Sequence, residues 1–217
     1  MSKLQSHWTN YQKYFKSNWK KIIAGYAILL SAFFIFFAID QVTKTLLFYH
    51  VDVNAMEAAG KNTWHINDGA LNNINPEYIF PSKDHWTVYG GIFGIRSIWH
   101  KGVTFLTTNN ISFIQTVSFI IAIFILLVPL YPSKRTLLYC AFFGILLAGD
   151  LGNATDRVAF SGYVKDEFFL PWLDRGTFNF ADLTVFLGVI LIMCTIVVTT
   201  ITEIIKEKKE KTTNTES

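Results

Sequence analysis

The stretch TLLYCAFFGILLAGDLGNATDR, residues 136–157, is an apolar run that ends in amide and charged side chains. Its apolar part approaches the roughly 20 residues that a helix needs to cross a bilayer. Polar side chains at membrane depth are energetically costly, and those that occur there commonly belong to a functional site. The stretch therefore predicts a transmembrane helix with a polar site at one end.

Three further runs have a similar character, at about residues 22–47, 111–130 and 183–204, and the run quoted above spans about 136–153. Of the 217 residues, 51% are hydrophobic and 16% are charged. A soluble domain has about 25% charged residues. We therefore predict an all-α membrane protein with four transmembrane helices.

The basic residues indicate how this bundle is oriented. They cluster before the first run, between the second and third, and after the last: Lys3, Lys13, Lys16, Lys20, Lys21, Lys134, Arg135, Lys206, Lys208, Lys209 and Lys211. Positive charge in short flanking segments marks the cytoplasmic side, so we expect both termini in the cytoplasm. The clusters adjoin apolar runs and form no single basic face, so no nucleic-acid partner is expected.

The predicted organisation has a cytoplasmic N-terminal segment at 1–21, a membrane domain at 22–204 and a cytoplasmic tail at 205–217. The Lys/Glu/Thr-rich tail is expected to be a helix end that frays into disorder.

Two segments between the predicted helices lie on the outer side. Aromatic and apolar runs within residues 49–110 favour short strands, so we expect an extracytoplasmic insertion with a small β-sheet on the membrane surface. Residues 157–182 contain Gly162, Pro171 and Gly176. This segment is interpreted as an active-site loop that closes over the polar cluster.

Two helices carry polar residues on one face near the outer side. Asp40 and Lys44 are four residues apart, a spacing that allows a local ion pair and also allows the pair to orient partners in a site. Asn153, Asp156 and Arg157 share one face of the third helix. An arginine there can pair with a carboxylate or hold a substrate carbonyl.

Gly149 and Gly152 permit either close helix packing or close approach of a substrate backbone. Asp150 lies deeper in the membrane, and we interpret it as a structural partner for another helix. At the start of the fourth helix, Asn179 is a plausible N-cap and Asp182 falls in the first turn, where the helix dipole stabilises it.

Asp166 from the preceding segment can approach Asp182. Two neighbouring carboxylates share a proton, so one can act as base and the other as acid in amide hydrolysis. The sequence lacks a nucleophile elbow, a His-Glu-x-x-His motif and a phosphate loop. The positions of the histidines argue against a histidine relay, and neither metal nor cofactor is expected. These observations predict an aspartyl protease within the membrane.

The polar residues resemble the motifs of the lipoprotein signal peptidase (signal peptidase II) family. The matching motifs are Asp40-x-x-x-Lys44, Gly149-x-x-Gly152-Asn153-x-x-Asp156-Arg157, Gly162-x-Val164-x-Asp166 and Phe178-Asn179-x-Ala181-Asp182. The resemblance extends over about residues 22–204. It implies a bacterial plasma-membrane enzyme that removes the signal peptide of diacylglyceryl-modified prolipoproteins just before the lipidated cysteine, and that is inhibited by globomycin.

The resemblance also implies roles for individual residues. Asp166 and Asp182 match the catalytic pair. The supporting or substrate-binding positions are Asn153, Arg157, Asn179, Asp40, Lys44, Gly149 and Gly102.

The chain departs from the family pattern at three places. Glu167 follows the loop aspartate where the family usually has Phe, so Glu167 is an alternative carboxylate, and the step from Arg157 to Gly162 is one residue longer. The Asn-x-Gly motif has two candidates, Asn67-Asp68-Gly69 and His100-Lys101-Gly102. Position before the second helix favours the latter, which implies an insertion of roughly thirty residues before it.

Two other functions remain open at this point. Intramembrane charges also occur in proton-coupled transporters and channel subunits, although here they gather at one interface. A catalytically inactive assembly protein that docks through its outer sheet is the other alternative.

Overall fold

A computed structural model describes residues 3–58, 78–79, 86–101, 110–173 and 176–215. Along the chain it contains α1 (Lys3–Leu46), α2 (Val53–Ala58), β1 (Tyr78–Ile79), β2 (Thr87–Tyr89), β3 (Phe93–Lys101), α3 (Ile111–Leu126), a short 3-10 helix (Val128–Leu130), α4 (Thr136–Ala159), β4 (Tyr163–Phe169), β5 (Thr177–Phe178) and α5 (Phe180–Thr215).

Within the described residues, four helices are long and apolar enough to cross a membrane. They are Trp8–Leu46, Ile111–Leu130, Thr136–Ala159 and Phe180–Lys208. Together with the small antiparallel sheet, they confirm the predicted fold class.

The helix α4 occupies the centre of the bundle and packs against α1, α3 and α5. Glycines make these contacts close. A Cβ atom on Gly149 would overlap the backbone oxygen of Ala181, and one on Gly152 would lie 2.7 Å from Oδ2 of Asp40. Both glycines therefore serve helix packing.

The helices extend beyond the predicted membrane runs. α1 already begins at Lys3, and α5 continues to Thr215, so the tail that we expected to be disordered is helical through that residue. Glu203 and Glu207 precede Lys206 and Lys211 by three and four residues. This spacing supports a helix that is exposed to water.

The sheet has five antiparallel strands in the order β1-β3-β4-β5, with β2 paired to the first half of β3. In the central pair, Ile98 lies opposite Asp166 and His100 lies opposite Val164. A buried cluster of Phe48, Val53 and Trp99, together with Tyr163, packs this sheet beside the end of α1. The sheet is thus built from both outer segments and sits at one end of the bundle.

The interpretation of residues 157–182 as a loop was wrong at Asp166, which lies inside β4. All seven residues of this strand are buried. The chain turns from α4 into β4 at Gly162, whose φ of +92° is readily accessible only to glycine. Charged residues at Lys165, Asp166 and Glu167 conceal the aromatic and β-branched pattern that would otherwise indicate a strand.

Candidate active site

Asn179 connects the two candidate catalytic carboxylates. Its side-chain Nδ2 donates to Oδ1 of Asp166 at 2.8 Å, and its backbone N–H donates to Oδ2 of Asp182 at 3.3 Å. In return, the backbone N–H of Asp182 donates to Oδ1 of Asn179 at 2.9 Å. The predicted N-cap is confirmed, and the same residue that begins α5 also holds Asp166 of β4.

Asn153 on α4 is a second amide in this arrangement. Its Nδ2 donates to Oδ1 of Asp182 at 2.8 Å, while its Oδ1 accepts from Nδ2 of Asn179 at 2.9 Å. The carboxyl group of Asp182 therefore receives donors from two elements of the fold, which fixes its orientation.

Lys44 is a fully buried cation behind these amides. Its Nζ lies 3.0 Å from Oδ2 of Asp40 and 3.0 Å from Oδ2 of Asp156, and it donates to Oδ1 of Asn153 at 3.1 Å. Asp40 and Lys44 thus form the local ion pair that their spacing allows. Lys44 also contacts Asn153 and Asp156 of α4. The pair therefore also reaches partners in the site, which was the second interpretation of its spacing.

The two carboxylates beside Lys44 reach the elements that carry the candidate catalytic residues. Oδ1 of Asp40 accepts from the backbone N–H of Ala181 at 2.7 Å. Oδ2 of Asp156 accepts from the backbone N–H of Lys165 at 3.2 Å. Each contact fixes the residue next to a candidate aspartate, so the buried charges link α1 to both halves of the site.

A cavity of about 810 Å³ opens in front of the two carboxylates. Its polar wall contains the candidate residues Asp166, Asp182, Asn153, Arg157 and Gly149 together with His100. Its remaining wall is largely apolar and comes from α3, α5 and the segment around Leu170. The site therefore joins a polar end to an apolar chamber within the membrane helices.

Burial raises the pKa of Asp166 well above its usual value, and the nearby carboxylate of Asp182 raises this pKa further. Asp166 is only 4% exposed, whereas Asp182 is exposed. The two carboxylates thus differ in their environments, as an acid and a base in one reaction must.

His100 lies at the site, contrary to the expectation that the histidines are remote from the polar cluster. Its Nδ1 is 3.9 Å from Oδ2 of Asp166. Burial and the nearby Arg157 lower the pKa of His100, so the imidazole is neutral at neutral pH. The His100-Lys101-Gly102 motif was the available signal, because it falls where the family places a polar residue before the second span.

Two predicted positions cannot be compared with this geometry. Gly102 and the alternative Asn67 lie outside the described residues.

Glu167 adjoins Asp166, but it is not among the residues that line the cavity. Successive strand residues face opposite sides, and the charged neighbours of Glu167 are Lys44, Asp40 and Asp156. The Thr43 hydroxyl lies beside the carboxyl group. However, this hydroxyl donates to the backbone oxygen of Asp40 at 2.9 Å, and neither oxygen of Glu167 has a hydrogen-bond donor among the described residues.

Glu167 gives a prediction about stability. Burial raises its pKa from 4.5 to about 8, so the folded protein binds this proton more tightly than the unfolded chain does. The resulting stabilisation is full below about pH 4.5, falls as the pH rises and is lost above about pH 8; it is on the order of a few kcal/mol. The melting temperature of Glu167→Gln, measured relative to that of the unaltered protein, should therefore increase across this interval. A difference that stays constant with pH would contradict it.

A bundle of four membrane-spanning helices, with two carboxylates in one cavity at its end, has the architecture of a membrane-embedded hydrolase. The comparisons with known proteins agree with this class. A sequence model described as signal peptidase (SPase) II matches residues 32–198, and the chain belongs to this family. It is a multi-pass membrane protein of a protease family.

Individual relatives agree with this assignment. The lipoprotein signal peptidase of Moorella thermoacetica is 34% identical over 115 residues, which cover 52% of this chain and 74% of that protein. The lipoprotein signal peptidase of Anaplasma marginale is 29% identical over 187 residues, covering 80% and 84% of the two chains. A solved bacterial membrane enzyme shares the fold with a TM-score of 0.54 at 21% identity, over 77% of this chain and 91% of that one. The transporter alternative has no support.

Proposed function

We propose that this protein cleaves diacylglyceryl-modified prolipoproteins on the N-terminal side of the lipidated cysteine. The observation that carries the proposal is the junction at Asn179, through which Asp166 of β4 and Asp182 of α5 meet at one cavity. The apolar chamber suits a signal peptide that arrives sideways from the bilayer, while the acyl chains of the substrate stay among the membrane lipids.

In the proposed reaction, Asp182 is the base and Asp166 is the acid. Asp182 is the carboxylate open to the cavity, and it takes a proton from a water molecule that attacks the scissile carbonyl carbon. Burial and the neighbouring carboxylate of Asp182 raise the pKa of Asp166, which favours its protonated form, and we therefore assign it the role of acid. It gives its proton to the leaving nitrogen as the C–N bond breaks. The two products are a free carboxylate and a free amine.

The other polar residues support this chemistry. Asn153, through its side-chain Nδ2, and Asn179, through its backbone N–H, donate to the carboxylate of Asp182 and orient it. Arg157 lines the cavity, and the planar donors of a guanidinium suit the oxyanion that develops on the carbonyl oxygen. On the side away from the cavity, Lys44 donates to Asn153 and Asp40 accepts from the backbone N–H of Ala181.

The protein is proposed to lie in the bacterial plasma membrane with both termini in the cytoplasm and the site at the outer face. Lys21 of α1 donates to the backbone oxygen of Ser133 at 2.6 Å, so two basic clusters meet at the end of the bundle away from the site. Positive charge at that end supports the orientation. In this orientation, segments 1–21 and 205–217 are the cytoplasmic parts of the chain, and residues 22–204 form the membrane domain.

The decisive experiment incubates the purified protein in detergent micelles with a diacylated prolipoprotein. We expect one cleavage, immediately before the modified cysteine, and its loss when globomycin is added. The same prolipoprotein without the diacylglyceryl group is the matched substrate, and it should be cleaved far more slowly. A protein that binds the lipidated substrate without cleaving it would instead support the inactive docking function.

A further inference from the structure

Asp150 and Ser118 form a polar pair inside the apolar part of the cavity. The hydroxyl of Ser118 on α3 donates to Oδ1 of Asp150 on α4 at 2.5 Å, and both residues line the cavity. This contact agrees with the expectation that Asp150 joins α4 to another helix. The second carboxyl oxygen, Oδ2, is buried and has no hydrogen-bond partner among the described residues.

Joining α4 to α3 does not by itself explain why a carboxylate stands at position 150. A serine and an amide would join the helices equally well. A buried carboxyl oxygen without a donor costs about 1–3 kcal/mol. The surrounding wall is apolar, with Val117 and Ile121 on α3 and Val185 on α5. Asp150 itself lines this wall, so a turn of its side chain would present the unused acceptor oxygen to an incoming chain.

The position of Asp150 is fixed relative to the reacting groups. It precedes Asn153, the partner of Asp182, by three residues on the same helix. Three residues correspond to about 4.5 Å along the helix axis. An extended peptide covers about 3.3–3.6 Å per residue, so this distance corresponds to one or two residues of substrate. The displacement is towards the start of α4, and therefore towards the middle of the membrane.

A signal peptide that reaches the carboxylates must be unwound near the scissile bond, because a helix hides its own amides. Unwinding exposes backbone N–H groups to a region without water, where each unsatisfied group is costly. A protein that binds such a segment needs hydrogen-bond acceptors in the apolar wall. Asp150 supplies one at the required depth.

We propose that Asp150 positions the substrate by accepting a hydrogen bond from a backbone N–H of the signal peptide, about two residues before the scissile bond. The proposal rests on the proposed function, and it assigns Asp150 to binding the signal peptide rather than to the chemical step. Ser118 holds the carboxyl group in place by occupying its other oxygen.

The test compares two lipidated peptide substrates, one unmodified and one N-methylated at the second amide before the scissile bond. For the unaltered protein, N-methylation should lower kcat/KM about tenfold, mainly through a higher KM. Asp150→Ala should cleave the unmodified peptide with a similarly lowered kcat/KM and should show no further loss with the methylated peptide. Asp150→Asn can donate to the Ser118 hydroxyl through its amide and keep its oxygen as the acceptor, so it should retain sensitivity to methylation.

Several controls separate this role from a structural one. Methylation of the fourth amide before the scissile bond, which lies beyond the reach of Asp150, should affect the unaltered protein and Asp150→Ala by the same factor. Melting temperatures identify a variant that does not fold, and Asp150→Leu, which has the same number and branching of side-chain heavy atoms but no acceptor, then takes the place of Asp150→Ala. Equal losses on methylation of the second amide in both proteins would overturn the proposal. No cleavage of either peptide by the unaltered protein would instead reject the proposed function itself.

Discussion

Replacing Asp166 or Asp182 with asparagine is expected to lower kcat by about 10²–10⁴-fold. Asparagine has nearly the same shape as aspartate, but it can neither hold the proton for the leaving nitrogen nor accept one from water. Because neither change removes a wall of the cavity, KM for a diacylated prolipoprotein should change little. The measurement is steady-state cleavage by each purified variant.

The matched control is Asp52→Asn. Asp52 is exposed, and its side chain accepts the backbone N–H of Ala55 at 3.1 Å, an interaction that asparagine can also make. This variant should cleave at the original rate. All three variants should melt as cooperatively as the unaltered protein, because the aspartates lose no large apolar contacts. Normal turnover by Asp166→Asn or Asp182→Asn would remove that residue from the proposed mechanism.

The second large effect is expected from Lys44→Met. Methionine fits the length of the lysine stem but leaves Asp40 and Asp156 as two buried carboxylates without their shared cation. Breaking a buried ion pair from one side typically costs about 3–5 kcal/mol. Equilibrium unfolding in detergent micelles should therefore show a loss of this size in the free energy of unfolding.

Lys16→Met provides the comparison, since Lys16 is an exposed lysine on the same helix. Its removal should change the free energy of unfolding by less than about 1 kcal/mol. Lys44→Met should also lose activity at temperatures where it stays folded, because Asn153 would no longer be held against Asp182. Equal stabilities for the two variants would show that the buried cluster contributes nothing to the fold.

The sequence alone was sufficient for the architecture, because four apolar runs leave little choice within a bilayer. The capping position of Asn179 also followed from local spacing, since an N-cap acts within one helical turn. The strand around Asp166 was missed because its three consecutive charged residues disguise it. Lys165 and Glu167 have oppositely charged neighbours in Asp156 of α4 and Lys44 of α1, which only the folded chain brings near.

His100 and Lys44 show a second reason why the structure differs from what the sequence predicts. His100 reaches the cavity through strand pairing between two segments that are distant along the chain. The contacts of Lys44 with Asn153 and Asp156 likewise join the first and third spans. Local spacing identified its pairing with Asp40 but contained no information about these partners. Such long-range contacts depend on the packing of the whole bundle.

The double role of Asn179 has a consequence for inactivation. One side chain both begins α5 and donates to Asp166, so fraying of the first turn of that helix would weaken the contacts of Asp182 and Asp166 together. Heating should therefore disturb the two carboxylates in one step rather than one after the other. Activity should be lost at the temperature at which the first turn of α5 melts. This temperature should lie well below the one at which the membrane-embedded helices unfold.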